Sequence, residues 1–126
     1  MTSDAVNTQD LHYLSISEAS SLIRDRKPSP VEVVRSHLDR IDALQPRLHA
    51  FITVTREQAL ENARRAERDI QKGTYRGSLH GIPLAHKDII WTHGVRTTPH
   101  SRRLKDWVPA ENATVFECLR AGAETC

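Results

Sequence analysis

The sequence predicts the first part of an α/β domain. Three observations carry this: two serine-led capping patterns open amphipathic helices, runs at 48–55 and 82–90 have the apolar, β-rich character of strands, and each run is followed by a helical pattern.

Residues 1–10 are polar and read as a disordered tail, which places the ordered domain at 11–126. The first helix is expected from Ser15, where Ser-Ile-Ser-Glu sets Glu18 three residues after a capping hydroxyl, and it ends before Lys27-Pro28-Ser29-Pro30. A second helix follows: Ser29 caps, Glu32 completes another capping box, and Pro30 suits the first helical position because its missing N–H would have no helical partner there. Val31, Val34, Leu38 and Ile41 recur at steps of three and four, giving one apolar stripe, and Pro46 is the expected stop.

The 48–55 run is the first expected strand. A third helix spans roughly 56–72, with Ala59, Ala63, Ala66 and Ile70 on its buried face and Gly73 as its stop. The second expected strand, 82–90, carries Pro83 near its start, where a missing N–H is tolerated. A loop with Gly94 and Pro99 leads to a fourth helix that begins near Asn112, includes Val115, Cys118 and Leu119, and ends at Gly122. The pattern then calls for another strand, so the chain is expected to be truncated. Alone, it should be marginally stable and expose apolar strand edges.

Composition narrows the function classes. Eighteen basic residues against sixteen acidic ones give a net charge of +2, short of the footprint of a dedicated nucleic-acid binder. The densest basic patch, Arg96, Arg102, Arg103 and Lys105, reads as solvated loop with no aromatic platform interleaved. There is no signal-like N-terminus and no apolar run long enough to cross a bilayer, so a cytoplasmic setting is expected, with Cys118 and Cys126 as reduced thiols.

Lys87 is the residue that invites chemistry, because it sits inside an apolar run between His86 and Asp88. Such a lysine either snorkels to water or is kept neutral so that it can act as a base. An ordinary lysine amine is neutral in about one molecule in 2,500 at pH 7, a deficit of ~4.6 kcal/mol that a site must remove. Strand alternation would send Asp88 to the opposite face, so it is not the expected ion-pair partner. His80, His86, His93 and His100 recur at steps of six and seven, but without a thiolate or an acidic third ligand they do not make a zinc pattern. No phosphate-cradling glycine loop, nucleophile elbow or carboxylate pair is present.

Gly81-Ile82-Pro83, Lys87-Asp88 and Gly94-Val95-Arg96-Thr97-Thr98 together resemble the amidase signature family. The likeness runs from Leu11 through the Ser29–Val54 stretch to Asn-Ala-Thr-Val-Phe-Glu-Cys-Leu-Arg-Ala-Gly-Ala at the fourth helix. It implies an α/β/α sandwich with a mixed, mostly parallel sheet, of which this chain is the N-terminal portion. It also implies a Ser/cis-Ser/Lys triad that cleaves the C–N bond of carboxamides, with Lys87 as the base and both serines in a Gly/Ser-rich segment beyond this sequence. The fragment alone would then be inactive. The implied partners are a small-molecule amide and either a second copy of the chain or amidotransferase subunits, with no cofactor, metal, membrane or direct nucleic-acid contact. Within the family the runner-up is the A subunit of aspartyl/glutamyl-tRNA amidotransferase; outside it, a non-catalytic interaction module. His86, Trp91, Pro99 and His100 depart from the family's usual residues.

Overall fold

A computed structural model describes residues 10–121. Four α-helices, α1 (Ile16–Arg24), α2 (Pro30–Leu48), α3 (Arg56–Gln71) and α4 (Thr114–Arg120), are joined by loops and by two 3₁₀ turns at Leu11–Tyr13 and Arg102–Leu104. The carbonyl of Asp10 accepts the Tyr13 N–H at 3.0 Å, so Asp10 belongs to the first turn; residues 1–9 of the expected tail lie outside the described residues.

Both serine caps form as the sequence requires. Ser15 Oγ accepts the Glu18 N–H while the Glu18 carboxylate accepts the Ser15 N–H at 2.8 Å, and Ser29 and Glu32 repeat the exchange at α2. Each box satisfies helix-end donors that would otherwise lack partners. Pro46 does not stop α2. It lies inside the last turn, and the helix runs on to Leu48 before His49, in the left-handed region at φ 47°, closes it by donating its N–H to the Gln45 carbonyl at 2.9 Å. A proline this close to the end forfeits one backbone bond and leaves the closing bond intact.

α2 packs against α3 and the first 3₁₀ turn. Its expected stripe is buried: Val31, Val34 and Leu38 meet Ala63, with Ile41, Ala59 and Leu60 half-buried around them. Val33 faces a second cluster with Leu11, Ile23 and Ile70, which Leu14, Tyr75 and Ile82 close over. The small residues of α3 allow the close approach the sequence suggests, with Ala63, Ala66 and Ile70 buried.

The expected sheet is where the structure departs from the sequence reading. Among the described residues there is no strand. Leu48 is the last residue of α2, residues 49–55 are irregular, and 82–87 are irregular backbone that belongs to no ladder. A strand exists through hydrogen bonds to a neighbour, and neither run finds one within residues 10–121. Ile52, Val54, Leu84 and Ile89 are consequently exposed. The fourth helix forms, but from Thr114 with Ala113 at its cap; Asn112 turns its side chain to other work, and Gly122 lies outside the described residues. Cys118 is not a free thiol, against the expectation of a reduced one, and Cys126 lies outside the described residues.

Candidate functional site

The signature segment begins where it joins the helical body. Gly81 has φ +85°, and a Cβ there would lie 2.9 Å from Pro30 Cγ and 3.5 Å from Ile23 Cγ2. Glycine is therefore required twice, for the left-handed backbone and for the contact with the first residue of α2. Beside it, His80 is buried, and its Nδ1 accepts the Arg76 N–H at 3.1 Å. Burial lowers its pKa below the usual histidine value and the Arg76 cation adds to this, against an opposing pull from Asp69.

Lys87 is exposed and lines an open groove of about 660 Å³ between residues 50–53 and 85–100. Residues of both runs read as strands thus line one groove without the runs being paired to each other. The 50–53 stretch is held by Gln45, whose side-chain amide donates to the Phe51 carbonyl at 2.6 Å and accepts the Phe51 N–H at 3.1 Å. The 85–100 stretch places Lys87 among His86, Arg96 and His100, with Asp88 as the acidic residue of the lining.

Asp88 does not serve Lys87. One carboxylate oxygen accepts the Thr98 N–H at 3.0 Å and the other accepts the Thr98 hydroxyl in a short bond. The His100 N–H in turn donates to Thr98 Oγ1 at 3.3 Å. Desolvation, the largest single influence on Asp88, raises its pKa, but the Thr98 hydroxyl and N–H, the His100 N–H and the His100 ring together outweigh it and hold the carboxyl below the usual carboxylate value. Lys87-Asp88 and Thr97-Thr98 are therefore two ends of one clasp, which closes the intervening turn.

Further bonds tie that turn to the segment before α4. Thr97 donates its N–H to the Trp107 carbonyl at 3.0 Å, Gly94 to Pro109 at 3.1 Å, and Ala113 to Trp91 at 2.9 Å, so 91–97 and 107–113 run antiparallel. Asn112 Oδ1 accepts the His93 N–H at 2.7 Å, and its amide donates to Glu117. His86 shares a 2.8 Å hydrogen bond with the Thr92 hydroxyl and sets its ring against Phe116 at 5.3 Å, which gives this departure from the family pattern a packing role. His80 and His86 have separate partners, and among the described residues no three His, Cys, Asp or Glu side chains converge in a metal-holding group.

Sequence reasoning misses the Gln45 clamp, the Asp88–Thr98 clasp and a Trp91–Trp107 ring contact at 4.9 Å. The clasp left a signal, since a carboxylate ten residues before a Thr-Thr pair across a glycine turn is a spacing that side chain can close. The other two depend on how irregular backbone folds back.

The lysine-bearing segment is thus clasped across a glycine turn and seated on a helical base. The amidase family model matches residues 32–124, and the chain belongs to that family, which is α/β. Its sequence is similar to the A subunit of glutamyl-tRNA(Gln) amidotransferase from Dehalococcoides mccartyi strain 195, at 46% identity over 110 residues, covering 87% of this chain and 22% of the relative. The subunits of the same name from Carboxydothermus hydrogenoformans and Moorella thermoacetica are 43% and 44% identical over 115 residues, 90% of this chain and 24% of each relative. The chain thus spans between 22% and 24% of the length of these curated relatives.

Proposed function

We propose that this chain supplies the lysine of an amidase-type site, with Lys87 as the base of a Ser/cis-Ser/Lys triad acting on a carboxamide C–N bond. Both serines come from residues outside this sequence, in a domain of which 11–126 is the N-terminal part and whose sheet is completed by those further residues. By itself the chain turns over no amide. The observation that carries the reading is the partition of the Lys87-Asp88 pair: the carboxylate is satisfied by Thr98, so the neighbouring amine on the groove is not held by it. An amine in that position can accept a proton from a hydroxyl brought against it once the groove is covered and its charge is no longer solvated. No cofactor or metal is required, and the setting is cytoplasmic; no helix of the described residues is long and apolar enough to cross a membrane.

A second reading inside the same chemistry is favoured by the relatives' shared name: the A subunit of an amidotransferase, releasing ammonia from glutamine for partner subunits. Both readings are tested by grafting residues 11–121 into the corresponding region of the Dehalococcoides mccartyi relative and following ammonia release from glutamine and from a simple carboxamide. Lys87→Ala is expected to cut turnover by on the order of 10²–10⁴-fold, the range of a lost general base. Turnover within a few-fold of the unsubstituted graft overturns the role, and the preferred substrate separates the two readings.

A further inference from the structure

The basic loop acquires in the fold what it lacks in sequence order. Four basic residues and one acidic residue fall within 91–110, which leaves fourteen basic against fifteen acidic in the rest, so the positive excess of the chain resides in this hairpin. Arg96, Arg102, Arg103 and Lys105 lie along it, and Arg96 donates to the Lys105 carbonyl at 3.3 Å, which draws the two arms together. The adjoining pair, Thr97 N–H to Trp107 carbonyl, puts Trp107 next to Arg96 across the hairpin. Trp107 meets Trp91 edge to face at 4.9 Å, and Trp91 remains 42% exposed. The nearby acid, Asp106, is drawn toward Lys105 at 3.8 Å and leaves three arginines without a carboxylate in the hairpin.

We propose that the 91–110 hairpin is a contact surface for single-stranded nucleic acid, in which Arg96, Arg102, Arg103 and Lys105 take the phosphates and Trp91 with Trp107 offers a stacking platform for a base. Cations alone would suit any polyanion. The exposed indole beside them favours a chain that also carries flat rings, because base-on-aromatic stacking adds affinity without requiring a particular sequence. The inference does not rest on the role of Lys87, and its test reads binding rather than turnover.

The two tryptophans of the hairpin are the only two in the chain, so intrinsic fluorescence reads this surface directly. A single-stranded RNA 12-mer titrated into the chain at low salt is expected to quench that fluorescence and to bind with a log K against log salt slope of about −3, the value for four phosphates on a single strand. Arg102→Glu with Arg103→Glu should weaken binding at least tenfold. Trp91→Ala should weaken it by roughly tenfold, and Trp91→Phe, which keeps a ring, should restore most of the loss. Circular dichroism of each variant separates misfolding from lost contact, and an oligonucleotide of abasic sugar-phosphate removes the stacking contribution alone without changing the protein. Equal binding of the abasic strand, heparin or anionic lipid vesicles, without quenching, would overturn the stacking surface, as would no binding at low salt.

Discussion

The two halves of the chain are held together by different forces. Residues 11–82 bury Leu11, Ile23, Val31, Val33, Val34, Leu38 and Ile70 between helices. From 83 to 121 the buried residues are Thr92, Thr97, Thr98 and Pro109, while Leu84, Ile89, Trp91, Val108 and Val115 remain exposed. One half is an apolar core, and the other is a set of turns held by Asp88, Asn112 and backbone bonds. Apolar burial contributes roughly 25 cal/mol per Å², whereas a partly exposed hydrogen bond adds about 1 kcal/mol net. Stability therefore resides in the helical half, and the family motif that carries Lys87 is mounted on it through Gly81 and Ile82.

The largest effect that could break this contrast is a change in the core. Ile23→Ala is expected to cost about 2–5 kcal/mol, while Ile89→Ala, in the other half and 54% exposed, should stay within ~0.5 kcal/mol. Chemical denaturation followed by helical circular dichroism measures both, and comparable losses would erase the distinction. Gly81→Ala comes next, at roughly 1–3 kcal/mol, because it introduces a side chain at positive φ against Pro30. A loss near zero would mean that the motif is not seated on α2 as described.

Acid should act on both halves, by smaller amounts. The folded pKa of His80 lies below its unfolded value, so the folded state resists protonation there. Stability from this residue is complete above the unfolded histidine pKa and is lost as pH falls through the folded one. Asp88 is also lowered, and its contribution disappears at more acidic pH, as pH falls from the unfolded aspartate pKa through the folded one. Stability measured against pH should thus decline in two stages, and His80→Gln should remove the first. A single decline confined to the carboxylate range would contradict the buried, neutral His80.

The contrast also explains what is legible in the sequence. Ser15, Ser29 and Pro30 act through neighbours three or four residues away, and the stripes of α2 and α3 repeat at helical spacing, so local rules reach them. Pro46 shows the limit, since its effect depends on how near the helix end it falls. The runs at 48–55 and 82–90 have strand composition, but a strand needs a partner and composition names none. Lys87 stands out from its apolar neighbours, yet only the fold shows that Asp88 is committed to Thr98, and only the fold sets Trp91 on Trp107.

Native-state amide hydrogen exchange on this chain tests the division between the halves most directly. The amides of Leu38, Ala66 and Ile70 should exchange slowly and together, through global unfolding, while those of Gly94, Thr97 and Ala113 exchange at least tenfold faster by local opening that denaturant scarcely alters. Protection in the Gly94–Ala113 hairpin equal to that of the helices, with the same denaturant dependence, would show one cooperative body and contradict the account.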